Sequence, residues 1–590
     1  MKSNREIEVK VYNKTPDSKP IILKTKKGKR LLDLLRENDI AIDNSCFGLG
    51  KCGKCKVRIL NKTAKITSTD MRHISSEDIA KGYRLACMYI LSDDTSVCIP
   101  IYNLDKIEAK ESNLKCSKAV KTKKYGIGID IGTTTLALAL VELEPDEAYI
   151  RSEVVQNDSA NKTFQSENFK TSFLEKGEDD YCQKIIATVT GINHQRSYGA
   201  DVISRIKAST KEGKKLQEIV QTDIKALIQE LLAKADCSIS QIKKVAVAGN
   251  TTMLHLLRGY KCSALGIYPY TPISVAIENI KVGNLLNLLD NEPLKEELEE
   301  IPVTILPGFT AFVGADILSG LYAERPWKKD RRFIFLDLGT NGEMVAGYKD
   351  QIWVTSTAAG PVFEGGGIRC GVPGIPGAIA RAEFENGELS FSTIANKAPI
   401  GICGTGVLEI VNALVKEGIV DKTGLLAKEY FDNGYPICKA EDGKEIVITQ
   451  EDVRQVQMAK AAISVGLDTI YEKIKQQSYD DKISYTEDEK PRYQEKNPHV
   501  IIAGGFGTSL SIERIKNLKM IPDKIVGDSS NIYFAGNTAL KGTARYLCIE
   551  ARYGSQIAQE ALCLIAKSAK EIELSEDESF ADKYYEAMNF

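Results

Sequence analysis

The sequence predicts a multidomain protein of the α/β and α+β classes, with a small β-rich N-terminal domain followed by a larger α/β part. The chain has 590 residues, several times the ~150 residues of a typical domain. Its first hundred residues show short β segments around one helical stretch. Further along, a strand, Asp, Gly, Thr and a second strand occur at 127–142 and again at 333–348, which indicates a long-range similarity within the chain.

Composition narrows the class of protein. Hydrophobic residues make up 43% of the chain and charged residues 27%, as in ordinary globular proteins. No segment approaches the ~18 apolar residues of a membrane helix, and the start, MKSNREIEVK, lacks the apolar core of a signal peptide. We therefore expect a cytoplasmic protein without a membrane partner, in which the 14 cysteines stay reduced unless they bind metal.

The net charge of −2 hides an asymmetry. Residues 1–98 carry 20 Lys and Arg against 12 Asp and Glu, or +8, which leaves 58 against 68, or −10, for the rest. The basic part is either a solvated face or a docking surface for an acidic partner. Nucleic acid is a disfavoured partner, because no basic stripe is interleaved with aromatic residues.

The N-terminal domain is predicted to span 1–98, and a polar, Lys-rich linker to span 99–124. The expected strands are Ile7–Tyr12, Ile21–Thr25, Val57–Leu60 and Ser96–Ile101, and the expected helix is Leu31–Glu37. This domain contains Cys46, Cys52, Cys55 and Cys87, in a C-x5-C-x2-C pattern with a distant fourth cysteine. Iron prefers thiolate ligands, and the glycines between the first three cysteines let the backbone wrap closely around a cluster. A zinc site and unrelated core cysteines are the alternatives.

These residues resemble the 2Fe–2S ferredoxins, and the x5 spacing resembles the adrenodoxin-type branch. The resemblance covers about 5–98 and implies a β-grasp fold with a 2Fe–2S cluster on the four cysteines. The other ten cysteines show no ligand spacing.

The second part of the chain opens with the apolar segment YGIGIDIG at 125–132. A polar loop is expected at Asn157–Asp180, a helix at Lys214–Ala235, and an acidic helical piece at Glu292–Glu300. Three consecutive strands follow Arg331, and an amphipathic helix is expected at Asp452–Lys473.

Two turns and a glycine segment are candidates for binding a polyphosphate. Glycine lets backbone approach phosphate, threonine offers hydroxyl and N–H donors, and aspartate holds Mg²⁺ through water. The turns differ from a P-loop, because strands rather than helices follow them. The candidate residues are Asp130, Gly132, Thr133, Thr134 and Thr135 in the first turn, Asp337, Gly339, Thr340, Asn341 and Gly342 in the second, and Gly504, Gly505, Phe506 and Gly507 in the glycine segment.

In order and spacing, these motifs resemble the family of acetate and sugar kinases, heat-shock chaperones and actin. The resemblance implies two ribonuclease-H-like lobes, at 125–330 and 331–550, that clamp ATP, with a helical tail at 551–590. It also implies Mg²⁺ near Asp130 and Asp337, and connecting helices at 314–324 and 536–547. Glu343 is the candidate for orienting the attacking water, with an exposed strand carboxylate as the alternative. Asp316 is a weaker candidate, since a carboxylate at a helix start can cap the helix.

The combination resembles the reductive activators of corrinoid proteins over the whole chain. The resemblance rests on the cysteine motif and on the phrases YGADVISRI (198–206), VAGNTTMLHLL (247–257), FVGADILSG (312–320), FLDLGTNGEM (335–344), AGPVFEGGGI (359–368), QEDVRQVQMAKAAI (450–463) and AGGFG (503–507). It implies ATP-dependent, one-electron reduction of a corrinoid partner from Co(II) to Co(I). It further implies a low-potential electron donor, Mg²⁺ and a homodimer.

Three alternatives remain at this point. The first is a small-molecule kinase with a redox-sensing iron–sulfur domain. The second is an activator of radical-generating dehydratases, and the third is a chaperone-like assembly factor. Glu364, in AGPVFEGGGI, lies either in the cleft or on the partner surface.

Overall fold

The computed structural model describes residues 6–13, 16, 18–38, 40, 42, 48, 50, 53–60, 64–99, 117–143, 184–199, 201–288, 295–328, 331–348, 351–441, 443–483, 497–504, 511–527 and 530–590. The predictions for the cysteines Cys46 and Cys52, for the loop Asn157–Asp180 and for Gly505–Gly507 lie outside these residues. Within them, none of the helices is both long and apolar enough to cross a membrane.

The N-terminal domain is a five-stranded sheet in the order β2-β1-β5-β3-β4, in which β1 and β5 are parallel. The helix α1 keeps four leucines of the LLDLLRE segment buried against this sheet, which is why so short a helix is stable. Its elements are β1 Glu6–Asn13, β2 Ile21–Lys26, α1 Leu31–Glu37, β3 Lys56–Ile59, α2 Ser68–His73, α3 Ser76–Ala80, β4 Tyr83–Leu85 and β5 Thr95–Ile99.

The next sheet has the order β10-β11-β9-β6-β7-β8. Strands β6, β7 and β8 are antiparallel neighbours, and β9 runs parallel to β6. The elements of this first lobe are β6 Tyr125–Ile131, β7 Thr135–Glu142, β8 Ile185–Ile192, α4 Val202–Ala235, β9 Ile242–Gly249, α5 Thr251–Arg258, β10 Glu278–Lys281, α6 Val282–Leu285, α7 Lys295–Glu299, β11 Pro302–Ile305 and α8 Ala315–Glu324.

Helix α4 is longer than the expected Lys214–Ala235. It begins at Val202, where Asp201 and Ser204 form a capping box, and Glu212 has non-helical backbone angles inside it. The charged stretch around Glu212 breaks the apolar periodicity, so the first part of the helix does not stand out in the sequence.

The second lobe repeats this arrangement, with a sheet in the order β21-β20-β12-β13-β14-β22. As predicted, β12, β13 and β14 are antiparallel neighbours, and β20 runs parallel to β12 as β9 does to β6. Its elements are β12 Phe333–Leu338, β13 Gly342–Tyr348, β14 Gln351–Thr357, β15 Ala378–Glu385, β16 Glu388–Thr393, β17 Gly401–Ile402, α9 Gly404–Lys416, β18 Tyr435–Lys439, β19 Glu445–Ile448, α10 Gln450–Ile483, β20 His499–Ala503, α11 Ile512–Asn517, α12 Asp523–Val526, β21 Ile532–Gly536, α13 Thr538–Tyr553, α14 Ser555–Ser568, β22 Ala569–Glu571 and α15 Phe580–Ala587.

The region expected as a helical tail, 551–590, contains a strand between its helices. Strand β22 is only three residues long and pairs in parallel with β14, so this region belongs to the sheet of the second lobe. The segment Ala-Lys-Glu is too short and too polar to show a strand pattern by itself.

Helices α8 and α13 cross between the two sheets, at the positions predicted for the connecting helices. A Cβ on Gly320 would lie 2.6 Å from the Thr538 Oγ1 atom, and a Cβ on Gly542 would overlap the Ser319 carbonyl oxygen. The Ser319 hydroxyl also donates to the Ala539 carbonyl at 2.8 Å. The small residues therefore let the two backbones approach closely, in a core that both sheets share.

Candidate functional site

Two hairpins of the same design face the cleft between the lobes. In the first, β6 ends after Asp130 and the turn closes with the Gly132 N–H donating to the Thr135 carbonyl at 2.9 Å. In the second, β12 ends after Asp337 and the Gly339 N–H donates to the Asn341 carbonyl at 3.0 Å. The repeated motif in the sequence therefore becomes two matching turns, one in each lobe.

Gly132 and Gly342, one in each turn, have steric reasons to be glycine. A Cβ on Gly132 would lie 2.9 Å from the Thr135 carbonyl oxygen, and one on Gly342 would lie 2.9 Å from the Thr357 hydroxyl oxygen. Gly504 follows β20 with φ +90°, and its Cβ would lie 2.6 Å from Asp337 Oδ1. The start of the glycine segment is thus packed directly against the aspartate of the second turn.

Four carboxyl groups lie together at the cleft: Glu343 is buried, and Asp130, Asp316 and Asp337 are partly buried. Burial raises the pKa of Asp130 to about 6. Burial and the Asp130 charge raise the pKa of Asp337 to about 7. Burial and these two aspartates raise the pKa of Asp316 to about 8. The cleft therefore concentrates negative charge that a bound cation would neutralise.

Glu343 lies on β13 directly opposite Asp337 and is 7% exposed, so it is not the exposed strand carboxylate of the alternative interpretation. Burial, followed by the Asp316 and Asp337 charges, raises its pKa well above the ordinary value. Asp316 lies in the first turn of α8 beside the same cluster. Among the described residues, no three His, Cys, Asp or Glu side chains converge closely enough to hold a metal ion by themselves.

Asn537 connects the first hairpin to helix α13. Its Nδ2 donates to Asp130 Oδ2 at 2.9 Å, while its Oδ1 accepts from the Leu540 N–H at 2.8 Å and caps the helix. Asn537 was not among the predicted site residues. The signal in the sequence was an asparagine just before a helix that begins with small residues.

Glu364 joins the two hairpins. Its Oε1 accepts from the Thr340 hydroxyl at 2.8 Å, and its Oε2 accepts from the Thr134 hydroxyl. Of the two places that the sequence left open for this residue, the structure shows the cleft. The glutamate lies in a 3₁₀ turn, Pro361–Glu364, that follows β14.

Two side chains hold the first turn from its carbonyl side. Arg205 is fully buried and donates to the carbonyls of Thr133 and Gly199, the latter at 2.8 Å. Asn193 Nδ2 donates to the Gly132 carbonyl at 2.9 Å. Burial lowers the pKa of Arg205 to about 9, and the nearby Glu364 opposes that shift. The phrase YGADVISRI contained Arg205, but no rule of spacing singled it out.

Two of the four predicted cluster cysteines are described, and they lie side by side. Cys55 precedes β3, Cys87 follows β4, and the Ala86 N–H donates to the Cys55 carbonyl at 2.8 Å. Both are buried, at 1% and 4% exposure. A Cβ on Gly48, which has φ +78°, would lie 3.6 Å from Cys87 Cβ, so Gly48 lies close to this cysteine. Two buried cysteines on neighbouring chain segments, one of them beside a glycine, fit part of an iron–sulfur site.

The sequence matches three known families over most of its length. Residues 14–92 match the 2Fe–2S iron–sulfur cluster binding domain. Residues 179–326 match the RACo middle region, and residues 331–486 and 489–590 match the C-terminal domain of RACo, the ASKHA domain.

Two curated relatives have corrinoid functions in their names. The chain is 30% identical over 416 residues to the corrinoid activation enzyme RamQ of Eubacterium limosum, covering 67% of this chain and 64% of the relative. It thus spans slightly less than two thirds of that relative. It is 23% identical over 451 residues to the [Co(II) methylated amine-specific corrinoid protein] reductase of Methanosarcina barkeri, covering 72% of this chain and 70% of the relative.

A solved structure described as a reductive activator for corrinoid, iron–sulfur protein has the same fold. It covers 99% of this chain and 98% of its own, with a TM-score of 0.58 and 25% identity. These matches do not favour the small-molecule kinase, which lacks support from any of them. The predicted multidomain α/β and α+β class is confirmed, with a ferredoxin domain ahead of an ASKHA domain. The chain belongs to the family of reductive activators of corrinoid proteins.

Proposed function

We propose that this protein uses ATP to drive the one-electron reduction of a corrinoid protein from Co(II) to Co(I). The observation that carries the proposal is the presence, on one chain, of a ferredoxin domain and of a cleft with two facing phosphate-type hairpins. A kinase needs no ferredoxin domain and a ferredoxin needs no nucleotide cleft. Electron transfer to an acceptor of lower potential needs both.

The free energy that ATP must supply to drive this electron transfer is moderate. For a one-electron step each 59 mV changes the equilibrium tenfold, so a deficit of ~200 mV corresponds to roughly 4.6 kcal/mol. A nucleotide offsets such a deficit when it binds two conformations of the complex with different affinities.

In this proposal the two turns hold the phosphates of ATP. The donors are the backbone N–H groups of both turns, the hydroxyls of Thr133, Thr134, Thr135 and Thr340, and the side-chain amide of Asn341, and the turn glycines allow close approach. The segment Gly504–Gly507 lies under the nucleoside. Asp130 and Asp337 would hold the Mg²⁺ that accompanies the nucleotide, in keeping with the preference of Mg²⁺ for one or two carboxylates together with substrate phosphates.

Glu343 orients the water that attacks the terminal phosphate. Its carboxyl group is buried next to Asp337, and a cation in the cleft would lower the raised pKa of both. Glu343 would then be ionised and able to accept a proton. Asp316 adds to the charge that the cation balances.

Cys46, Cys52, Cys55 and Cys87 are the proposed ligands of the cluster. When bound, a 2Fe–2S cluster supplies a one-electron carrier. The Arg30 guanidinium lies near Cys55 and Cys87, and its Nη1 donates to the Gly48 carbonyl at 3.4 Å.

The partners follow from the same proposal. A low-potential donor supplies the electron, and the basic N-terminal part, with a balance of +8, steers docking onto an acidic corrinoid protein. We further propose that the protein acts in the cytoplasm as a homodimer.

The test is anaerobic. Reconstituted protein, a low-potential reductant and a Co(II) corrinoid protein are mixed with and without Mg-ATP, and the Co(I) absorption band is followed. We expect ATP-dependent growth of Co(I) that is lost in Asp337→Asn and Cys55→Ser. Cys563→Ser, in helix α14, is the matched control and should retain the activity.

Two results would contradict the proposal. A Cys55→Ser variant that reduced the corrinoid at the normal rate would remove the proposed electron path. ATP hydrolysis without Co(I), across a range of corrinoid partners, would favour an assembly factor instead.

A further inference from the structure

One short turn contacts both the nucleotide cleft and the ferredoxin domain. The carboxylate of Glu364 accepts from Thr134 of the first hairpin and Thr340 of the second. The carbonyl of the next residue, Gly365, accepts from the Lys54 Nζ atom at 3.4 Å. Lys54 immediately precedes Cys55, one of the proposed cluster ligands. Two adjacent residues of the turn thus contact the nucleotide cleft and the ferredoxin domain.

Further contacts hold the ferredoxin domain on both lobes. The Lys444 ammonium lies 5.8 Å from the centre of the Tyr83 ring, and the Arg36 guanidinium lies 5.7 Å from that of Tyr198. Lys56 is partly buried close to Lys444, and this burial lowers its pKa. The ferredoxin domain therefore contacts the first lobe through Arg36 and the second lobe through Lys54 and Tyr83.

The turn itself is rigid. Gly360 and Gly365, with φ of +80° and +75°, bracket it, and the Gly366 N–H donates to the Pro361 carbonyl at 2.7 Å. A Cβ on Gly404 would overlap the Phe363 carbonyl oxygen, so the first turn of α9 packs directly on this backbone. The Glu364 carboxylate and the Gly365 carbonyl thus belong to one compact turn, so a nucleotide that repositions this turn affects both of its contacts.

Glu364 also competes with a nucleotide. Its two oxygens take hydroxyl donors from both hairpins, which are the donors that a bound phosphate would need. Two anions cannot share those donors without strong repulsion in a buried site. Nucleotide binding must therefore move the carboxylate.

We propose that Glu364 is a positioning residue that occupies the place of a nucleotide phosphate, and that its displacement by Mg-ATP releases the ferredoxin domain from the lobes. The inference rests on the proposed function, since it requires a nucleotide between the hairpins. Release would let the cluster-bearing domain reach a partner only after ATP has bound. By linkage, docking of the ferredoxin domain weakens nucleotide binding by the same factor.

The first experiment measures the affinity of the full, cluster-loaded chain for Mg-AMP-PNP by calorimetry. Glu364→Gln keeps the shape of the side chain and removes its charge. We expect it to bind about tenfold more tightly than the natural chain, which corresponds to ~1.4 kcal/mol. Glu388→Gln, an exposed glutamate on β16 of the same lobe, is the control and should bind like the natural chain.

The second experiment measures hydrogen exchange of residues 53–60, 83–89 and 361–365. In the natural chain, Mg-AMP-PNP should increase exchange in all three segments. In Glu364→Gln the same increase should occur at a nucleotide concentration about tenfold lower, because the uncharged side chain is displaced more easily. Lys444→Ala, which removes a contact of the lobe with Tyr83, should increase exchange in 83–89 without nucleotide and tighten nucleotide binding about twofold by linkage.

The outcomes separate this inference from the proposed function. If Mg-AMP-PNP fails to bind the natural chain, both are overturned. If it binds but Glu364→Gln binds it equally or more weakly, Glu364 is structural or a ligand of the nucleotide complex, and only the inference is overturned. If affinity rises but exchange in 53–60 and 83–89 does not change, release of the domain is overturned.

Discussion

At the scale of single residues, the cleft depends on clustered acids that are shielded from water. The pKa of Asp130 is raised to about 6 and that of Asp337 to about 7, in both cases mainly because burial disfavours the charged form. Buried charge of this kind reduces stability while it prepares the site for a ligand. Function and stability therefore oppose each other at these residues.

Replacing Asp337 tests whether a residue proposed to bind the ligand reduces the stability of the fold. The folded pKa of about 7 lies above the unfolded value of ~4, so the folded state keeps a proton that the unfolded chain releases, and stability falls as pH rises between the two values. We expect Asp337→Asn to increase the free energy of unfolding by roughly 1–3 kcal/mol at pH 8 and by less at pH 5. Urea unfolding of the nucleotide-free protein at both pH values measures this.

Asp432→Asn, at an exposed turn position, is the control and should change stability little at either pH. Equal stabilisation by Asp337→Asn at the two pH values would show that the Asp337 carboxyl group is not the source of the effect.

Gly504 offers a second test at this scale. An alanine there has a strained backbone with φ +90° and places a Cβ 2.6 Å from Asp337 Oδ1. Gly443→Ala is a matched control, because its φ is +82° but no atom lies within 4 Å of the added Cβ. Both variants should lose about 1 kcal/mol of stability from backbone strain. Only Gly504→Ala should also lose Mg-ATP binding, measured by calorimetry, and equal binding by the two variants would contradict the proposed site.

At the scale of elements, the crossing of α8 and α13 joins the two lobes through closely packed backbones. Their backbones meet at Gly320 and Gly542, and Asn537 at the start of α13 also holds Asp130. The Asn537 side chain thus links the first hairpin to the helix that takes part in the crossing. Close packing at the crossing leaves no room for adjustment.

Gly542→Ala tests the crossing. The added Cβ would overlap the Ser319 carbonyl oxygen, so the helices must separate, and we expect a loss of about 2 kcal/mol or more in thermal or urea unfolding. Gly213→Ala, within α4 and with no atom within 4 Å of its Cβ, is the control and should be neutral or stabilise by up to ~1 kcal/mol. If the two variants were equally stable, the crossing would be less tightly packed than described.

At the scale of the whole molecule, charge is distributed unevenly between a basic N-terminal part and an acidic remainder. The balance of +8 over residues 1–98 produces a long-range field, which under the proposed function would speed encounter with an acidic partner rather than contribute to folding.

Ionic strength tests the role of this field. Salt reduces the Debye length from ~30 Å at 0.01 M to ~8 Å at 0.15 M, so the rate of Co(I) formation with limiting corrinoid protein should fall as salt rises. Nucleotide hydrolysis without the partner is the internal control and should change much less. A salt-independent reduction rate would exclude electrostatic steering by the N-terminal part.

The sequence by itself determined the elements whose signals are local. The helix α1 has the predicted bounds, the strands β12, β13 and β14 follow one another as expected, and the repeated Asp-Gly-Thr motif forms two matching hairpins. Apolar periodicity and turn chemistry are properties of neighbouring residues, so they can be recognised without knowledge of the fold.

Only the tertiary structure decided which distant side chains meet. It brought Glu364 onto Thr134 and Thr340, Asn537 onto Asp130, and Arg205 onto the first turn. It also placed a strand of the C-terminal region in the sheet of the second lobe. These contacts join residues tens to hundreds of positions apart, and their energies depend on burial and on neighbours supplied by the packing of two lobes, which no local pattern encodes.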